Sequence, residues 1–402
     1  MTSAPVSPGA RVSAAKPVGL SAELSGLLAA ELPAAIELRH DLHRHAELSG
    51  AEARTAATVT AALGAPDAAE VAGTGRLIRI GPTAGPAIAI RAELDALPIA
   101  EETGAPWSSV TGAMHACGHD VHLAALTALA GAARQAELPV ALLVVLQPRE
   151  ETSPSGAQDI AADASFAAHQ PAAMIGVHLQ HQFPAGTVAA ASGTVNAATD
   201  DFEITVTGTG GHAGYPQLAA DPVLALCQSV VALQHLVSRR IDPTHAAVVS
   251  VGSLRAGAAA NVIPPTATAA GTVRTLADAD RSFLRAAVAQ TVEDTCRAYG
   301  CHGAVAITPA EPMLVNDPGL TVGCQQLLLA AGFKVDTEFR SCGADDFSYF
   351  SAVMPTVMMF AGSGTAESLH HPRFLPSDDS VGQVARAMLA GYLAGASSLA
   401  EG

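Results

Sequence analysis

The feature that most constrains this chain is a change of hydrophobic period in its middle. Upstream, short unbroken apolar runs alternate with longer helical ones. Ala87 to Ile90 (AIAI) and Ala141 to Leu146 (ALLVVL) read as strands buried on both faces, and Val121 to Ala136 between them reads as an Ala- and Leu-rich helix. Met174 to Val177 is a further short strand, and Ser21 to Leu48 has helical spacing through Leu28, Leu32, Ile36 and Leu42. Such alternation predicts an open α/β sheet covered on both faces. Near residue 198 the pattern switches. Phe202 to Thr207 (FEITVT) alternates polar with apolar, as a half-exposed strand does. A helix around Pro222 to Val237, strands at Ala246 to Ser253 and Ala267 to Arg274, a helix at Asp278 to Tyr299 and a strand at Gly303 to Thr308 follow. That order, β-α-β-β-α-β, is the split pattern of a ferredoxin-like α+β domain. The α/β pattern resumes with a helix at Pro318 to Ala331 and a strand at Thr356 to Phe360. The expected organisation is a disordered tail over 1–22, a first domain over 23–197, an inserted domain over 198–310, and the rest of the first domain over 311–402.

A chain of 402 residues is too long for one ordinary core, which agrees with two domains. A net charge of −16 argues against a nucleic-acid partner, since phosphate binding needs Lys and Arg in surplus. The six cysteines form no CxxC pair and read as reduced thiols. The N-terminal residues have no apolar signal core, and no uncharged apolar stretch is long enough to span a bilayer. The expectation is therefore a cytoplasmic protein without a membrane partner.

Chemistry-bearing residues gather where strands end. The densest cluster is His115-Ala-Cys117-Gly-His119-Asp-Val-His122. Thiolate and imidazole both bind borderline metals, and the glycine between Cys117 and His119 lets the backbone turn tightly. Glu150 and Glu151 sit just past the buried strand ALLVVL, where ligands bind in open α/β sheets. Adjacent carboxylates can divide the work, one holding a metal while the other moves a proton. Glu93 and Asp95 share one side of the chain after AIAI. His178 follows another strand, and His370-His371 lies near the C-terminus. Solvated loop acids and ordinary core histidines are the competing reading of each piece taken alone.

Taken together, the pieces LRHDLHRHAELSG, RAELDALP, HACGHDVH, QPREE, GVHL, FEITVTGTGGHAGYP, AADP, NVIP, GTVRT, DDFSYF and LHHPRF resemble the M20 metallopeptidase and amidohydrolase family over about residues 25–395. The similarity is greatest to the branch of N-acyl-amino-acid amidohydrolases, hippurate hydrolases and auxin-conjugate hydrolases. The resemblance implies a mixed-sheet, metallopeptidase-like catalytic domain with an inserted ferredoxin-like domain that acts as lid and dimerises. It implies two divalent metal ions (Zn, Mn, Co or Ni) held by Cys117, His119, Glu151, His178 and His370. It makes Glu150 the general acid/base and Asp95 a supporting carboxylate. His212 would polarise the scissile carbonyl, often from the partner subunit, and Asn261 and Arg274 would hold a substrate carboxylate. Arginine suits that task because its planar fork binds a carboxylate bidentately.

The implied reaction is hydrolysis of an N-acyl amino acid or similar small amide by metal-activated water. A carboxypeptidase or dipeptidase of the same family is the alternative. A thiol amidase using Cys117, and a member that binds without turnover, are the readings from other classes. The chain departs from the family pattern at Glu93 where Asp is usual, at Gln217 where His is common, at Ala46 where Pro is usual, and at residues 152–155 where a Gly-rich stretch is usual.

Overall fold

The structure, a computed structural model, describes residues 16–401. The first helix spans Lys16–Arg44. Residues 16–22 of the expected tail are therefore helical, and the rest of that tail, 1–15, lies outside the described residues. The chain forms two compact units: residues up to Ser192 with Asn316–Glu338 and those from Val353, and Gly193–Val315 with Phe339–Ala352. The segment 339–352 was expected in the resumed first domain but clusters with the second unit. Ser341 explains this: its N–H donates to Val195 O at 2.9 Å and its carbonyl accepts from Ala197 N at 3.2 Å.

The first unit is built on an eight-stranded mixed sheet. Its centre is four parallel neighbours, in the order Ala141–Gln147, Ala87–Glu93, Pro171–Gln180 and Thr356–Gly362. Gly75–Ile80 and Ala69–Val71 extend one side antiparallel, and Thr187–Ala189 and Lys334–Asp336 extend the other. The strands Ala141–Gln147, Ala87–Glu93 and Thr356–Gly362 are buried at every residue. That is why they read as continuous apolar runs: both faces are covered. The helices His119–Gln135, Lys16–Arg44 and Asp379–Glu401 pack on one another, and the apolar side chains of the first and last join the sheet in one core. Because the four central strands run the same way, their carboxyl ends share one edge.

The strand Pro171–Gln180 is longer than its sequence suggested, so His178 lies inside it rather than after it. The polar His178 and Gln180, where the apolar run stops, are both buried, since neighbouring strands on each side shield them.

The second unit carries a four-stranded antiparallel sheet in the order Ala247–Ala256, Thr266–Thr275, Ala198–Thr207, His302–Pro309. The helices Pro222–Arg240 and Asp278–Ala298 cover one face through Leu226, Leu233, Leu284, Val288 and Val292. Phe202, Ile204 and Val206 point at them, while Glu203, Thr205 and Thr207 are exposed. The period-two pattern thus reports a sheet covered on one side. The chain thus forms a mixed-sheet domain and a separate smaller α+β domain, as the resemblance to M20 metallopeptidases implies. Among the described residues, no helix is long and apolar enough to cross a membrane.

Candidate metal centre

Three neighbouring strands deliver side chains to the shared carboxyl edge. Ala87–Glu93 ends on Glu93, with Asp95 two residues on. Ala141–Gln147 leads into the loop bearing Glu150 and Glu151, anchored where Arg149 N donates to Glu52 Oε1 at 3.0 Å. Pro171–Gln180 carries His178. Cys117 and His119 flank Gly118, which caps the N-terminus of the helix His119–Gln135 at φ +84°. A Cβ on Gly118 would sit 2.7 Å from Leu179 Cδ1, so only glycine lets this turn lie against the strand. His370 stands on a loop after Thr356–Gly362, with its N–H donated to Ala116 O at 2.9 Å.

These placements bring Cys117, His119, Glu151, His178, His370, Glu150 and Asp95 into one cluster. Cys117 Sγ lies 3.4 Å from His178 Nε2. His119 Nε2 lies 3.9 Å from Glu151 Oε1 and 3.8 Å from Glu150 Oε2, and His370 Nε2 lies 3.5 Å from Glu151 Oε1. His371 instead turns Nδ1 to the Arg373 N–H at 3.1 Å. The separations of the clustered pairs fit ligands sharing a cation. Metal–ligand bonds of about 2.0–2.3 Å at tetrahedral angles place ligand atoms about 3.3–3.8 Å apart, close to these separations. His119 Nε2, Glu151 Oε1 and Asp95 Oδ1 are buried and have no hydrogen-bond partner among the described residues. Buried polar atoms without partners are costly, and a cation at this cluster would satisfy them.

The ring nitrogens are already oriented. His119 Nδ1 donates to Asp95 O at 2.8 Å and His178 Nδ1 donates to Leu179 O at 2.7 Å, so each turns the lone pair of Nε2 inward. Asp95 Oδ2 accepts from Ser49 Oγ at 2.6 Å and from Glu151 N at 2.9 Å. It thereby ties the Glu150–Glu151 loop to the neighbouring strand.

Electrostatics also favour a cation. Burial, then Glu151, Glu150 and Glu93, push the Cys117 thiol well above its ordinary value. Burial pushes Asp95 up as well, against His119, Ser49 and the Glu151 amide. Burial opposes charge on Glu151 too, but His370, His119 and Cys117 hold its carboxyl below the usual range. Burial would likewise lower His119, yet Glu93, Asp95 and Glu151 raise it. A thiol held neutral among carboxylates is a poor nucleophile until a cation stabilises its thiolate. This disfavours the thiol-amidase reading. Two overlapping groups, Cys117 with His119 and Glu151, and Glu93 with His119, His122 and His178, each bring ligand atoms within 4.8 Å of one another. Together these clusters suggest a binuclear metal site.

The other expected residues lie in the second unit. His212 pairs with Val262 in a small sheet, and Ala213 N donates to Asn261 O at 3.1 Å, so His212 and Asn261 are neighbours. His212 Nδ1 accepts the Gly214 N–H at 3.0 Å, which leaves its proton on Nε2 as a donor. Arg274 is not with them. It stands near the far end of the strand Thr266–Thr275, where its guanidinium donates to Cys342 O at 3.2 Å. Eight residues of strand correspond to about 26 Å. His212 and Asn261 adjoin the start of that strand along the chain, at the opposite end from Arg274.

Sequence reasoning missed several groups behind the cluster. Ser49 gave no signal beyond its place in LHRHAELSG. Asp120 is wholly buried and accepts from Arg39 Nε at 3.0 Å and from His43 Nδ1 at 3.0 Å; Arg39 also reaches Asp378 and the Pro376 carbonyl. This pins the start of the His119 helix to the first helix and to the C-terminal loop. The histidines of LRHDLHRH could have hinted at it, but only contact across the fold supplies Asp120 as their partner.

Known proteins resemble this chain in sequence and fold. The peptidase family M20/M25/M40 matches residues 89–393. N-acetylcysteine deacetylase of Bacillus subtilis (strain 168) is 34% identical over 355 residues, covering 86% of this chain and 92% of the relative. N-acetyldiaminopimelate deacetylase of Geobacillus sp. (strain WCH70) is 34% identical over 303 residues, covering 74% and 79%. The crystal structure of the Bacillus subtilis YXEP protein, a dinuclear metal-binding peptidase from the M20 family, superposes with a TM-score of 0.77 at 30% identity, covering 90% of this chain and 98% of that one. The chain therefore belongs to peptidase family M20/M25/M40, as a metal-dependent hydrolase acting on amide bonds related to the N-acetyl-amino-acid deacetylases.

Proposed function

We propose that this protein hydrolyses the amide bond of N-acyl amino acids, with Glu150 as general base and then general acid. Cys117, His119, Glu151, His178 and His370 would hold a pair of divalent cations of the Zn, Mn, Co or Ni kind. When bound, the pair supplies Lewis acidity, lowering the pKa of the attacking water and polarising the scissile carbonyl. Glu150, 3.8 Å from His119 Nε2 and next to the proposed ligand Glu151, stands where a carboxylate can take the proton of that water. It would then return the proton to the departing nitrogen. Asp95 keeps the Glu150–Glu151 loop against the strand edge through the Glu151 amide. His212, with its proton on Nε2, is a donor for the developing oxyanion. Asn261 and Arg274 are assigned to the substrate carboxylate. The proposal includes a homodimer formed through the second unit. A cytoplasmic location is part of the same proposal. The deacetylase names of the relatives support an N-acyl substrate over a dipeptide.

The observation that carries the proposal is the buried His119 Nε2 and Glu151 Oε1, neither hydrogen-bonded among the described residues, lying 3.9 Å apart beside Glu150. The test is a panel of N-acetyl, N-benzoyl and longer N-acyl amino acids beside dipeptides, with wild type and Glu150→Ala, before and after chelation and metal return. Hydrolysis of the acyl amino acids should vanish on chelation, return with metal, and fall about 10²–10⁴-fold in the variant. Activity that survives both treatments refutes the mechanism, and turnover of the dipeptides alone refutes the substrate.

A further inference from the structure

We propose that His122 is a positioning residue which, backed by Glu93, clamps the backbone at Leu179 and so sets the spacing at which Cys117 and His178 face a shared cation. The inference rests on the ligand roles proposed for those two residues.

His122 lies one turn along the helix from His119 and on the same side, with its ring 5.7 Å from that of His119 and 4.8 Å from that of His178. By position it belongs to a group that could hold a metal. Its hydrogen bonds assign it another task. Leu179 N donates to His122 Nε2 at 3.0 Å, so Nε2 carries no proton and its lone pair is used. The proton therefore sits on Nδ1, which donates to Glu93 Oε2 at 2.9 Å. Glu93 Oε1 in turn accepts from Arg91. All three side chains are buried, so the pattern is not exchanged with solvent. To coordinate a cation, His122 would have to surrender one of these bonds.

The residue it holds is the one that governs His178. The peptide N–H gripped by His122 joins His178 to Leu179, and the carbonyl of Leu179 accepts from His178 Nδ1 at 2.7 Å. On the other side the Leu179 side chain lies against Gly118, between Cys117 and His119. One strand residue is thus fixed through its backbone by the helix and through its side chain by the turn. The 3.4 Å between Cys117 Sγ and His178 Nε2 follows from that double attachment. The carboxylate at position 93 completes the chain by fixing the tautomer, and its tie to Arg91 uses the other oxygen.

The experiment uses the full-length protein stripped of metal and reloaded with Co(II), as wild type, His122→Leu and His122→Gln. Two quantities are read: the Co(II) dissociation constant, by competition with a chromophoric chelator, and the thiolate-to-Co(II) charge-transfer absorption that reports Cys117. Wild type should show the thiolate band. His122→Leu removes the acceptor for Leu179 N–H, and should weaken binding about 10–100-fold with a diminished band. His122→Gln offers an amide oxygen to Leu179 and an N–H to Glu93, and should return affinity and band towards wild type. His122→Leu matching wild type in both quantities overturns the clamp. So does His122→Gln binding no better than His122→Leu. If the leucine variant does not fold, the glutamine variant decides: wild-type band and affinity sustain the proposal, and loss of both overturns it. A wild type with no thiolate band sinks the ligand assignment and the clamp together, whereas a normal wild type with an unaffected His122→Leu sinks the clamp alone.

Discussion

Gly118→Ala tests how tightly the turn between Cys117 and His119 is built. The residue has φ +84°, and holding alanine in left-handed backbone costs about 1–2 kcal/mol. Its new methyl would meet Leu179 Cδ1 at 2.7 Å, well inside the carbon contact distance of about 3.5–4.0 Å. Leu179 is fully buried and cannot swing into solvent, so the overlap adds an overpacking cost of about 1–3 kcal/mol. The combined destabilisation is about 2–5 kcal/mol. The only tryptophan of the chain, Trp107, lies in the first unit, so its fluorescence in a urea titration follows that unit. Leu179→Ala alone should cost about 2–5 kcal/mol for the lost side chain. The double variant should recover the steric part and be about 1–3 kcal/mol more stable than the sum of the singles. Gly118→Ala within 0.5 kcal/mol of wild type, or a double variant that is simply additive, would refute the close-packing argument.

Three further outcomes follow from the same geometry. Arg39→Met removes the guanidinium from the buried Asp120 carboxylate, whose Oδ1 already lacks a partner, and should cost about 3–5 kcal/mol in the Trp107 titration. Burial alone would lower His43, but Asp120 and Glu101 raise it to about 9. Its folded pKa is thus above the unfolded 6.5, so its stabilisation is complete below pH 6.5 and lost as pH rises through 9. That loss, about 3 kcal/mol, is measurable by urea titrations across the window and should disappear in His43→Gln. The depressed Glu101, held down to about 2 mainly by His43 against burial, is the same contact seen from its other end and is counted once. Excess divalent metal at about 100 times its Kd should stabilise the metal-free first unit by about 2.7 kcal/mol in a thermal melt, and Glu151→Ala should abolish most of that shift.

Much of the site is legible in the chain because its parts sit at recognisable places. Buried parallel strands read as unbroken apolar runs, so the ends of AIAI and ALLVVL mark where Glu93, Asp95, Glu150 and Glu151 emerge. Cys117, Gly118 and His119 are local, and the glycine announces the turn. His178 was harder to place, because a histidine and a glutamine inside a buried strand look like its end. Ser49, Asp120 and the orientation of His122 were not legible. Each acts through a partner distant in sequence, and no local pattern carries that information.

The sequence by itself determined the fold class, the insertion of one α+β unit into an α/β unit, and the chemical types available at each strand end. These depend on period and residue type, which are local properties. The tertiary structure alone decided which atoms face one another: the lone pairs of His119 and His178, the buried Glu151 Oε1 against His119 and His370, and the tie of Arg274 to the Cys342 carbonyl. It decided them because ring tautomers and carboxylate rotamers are selected by hydrogen bonds across the fold, after the strands have taken their register.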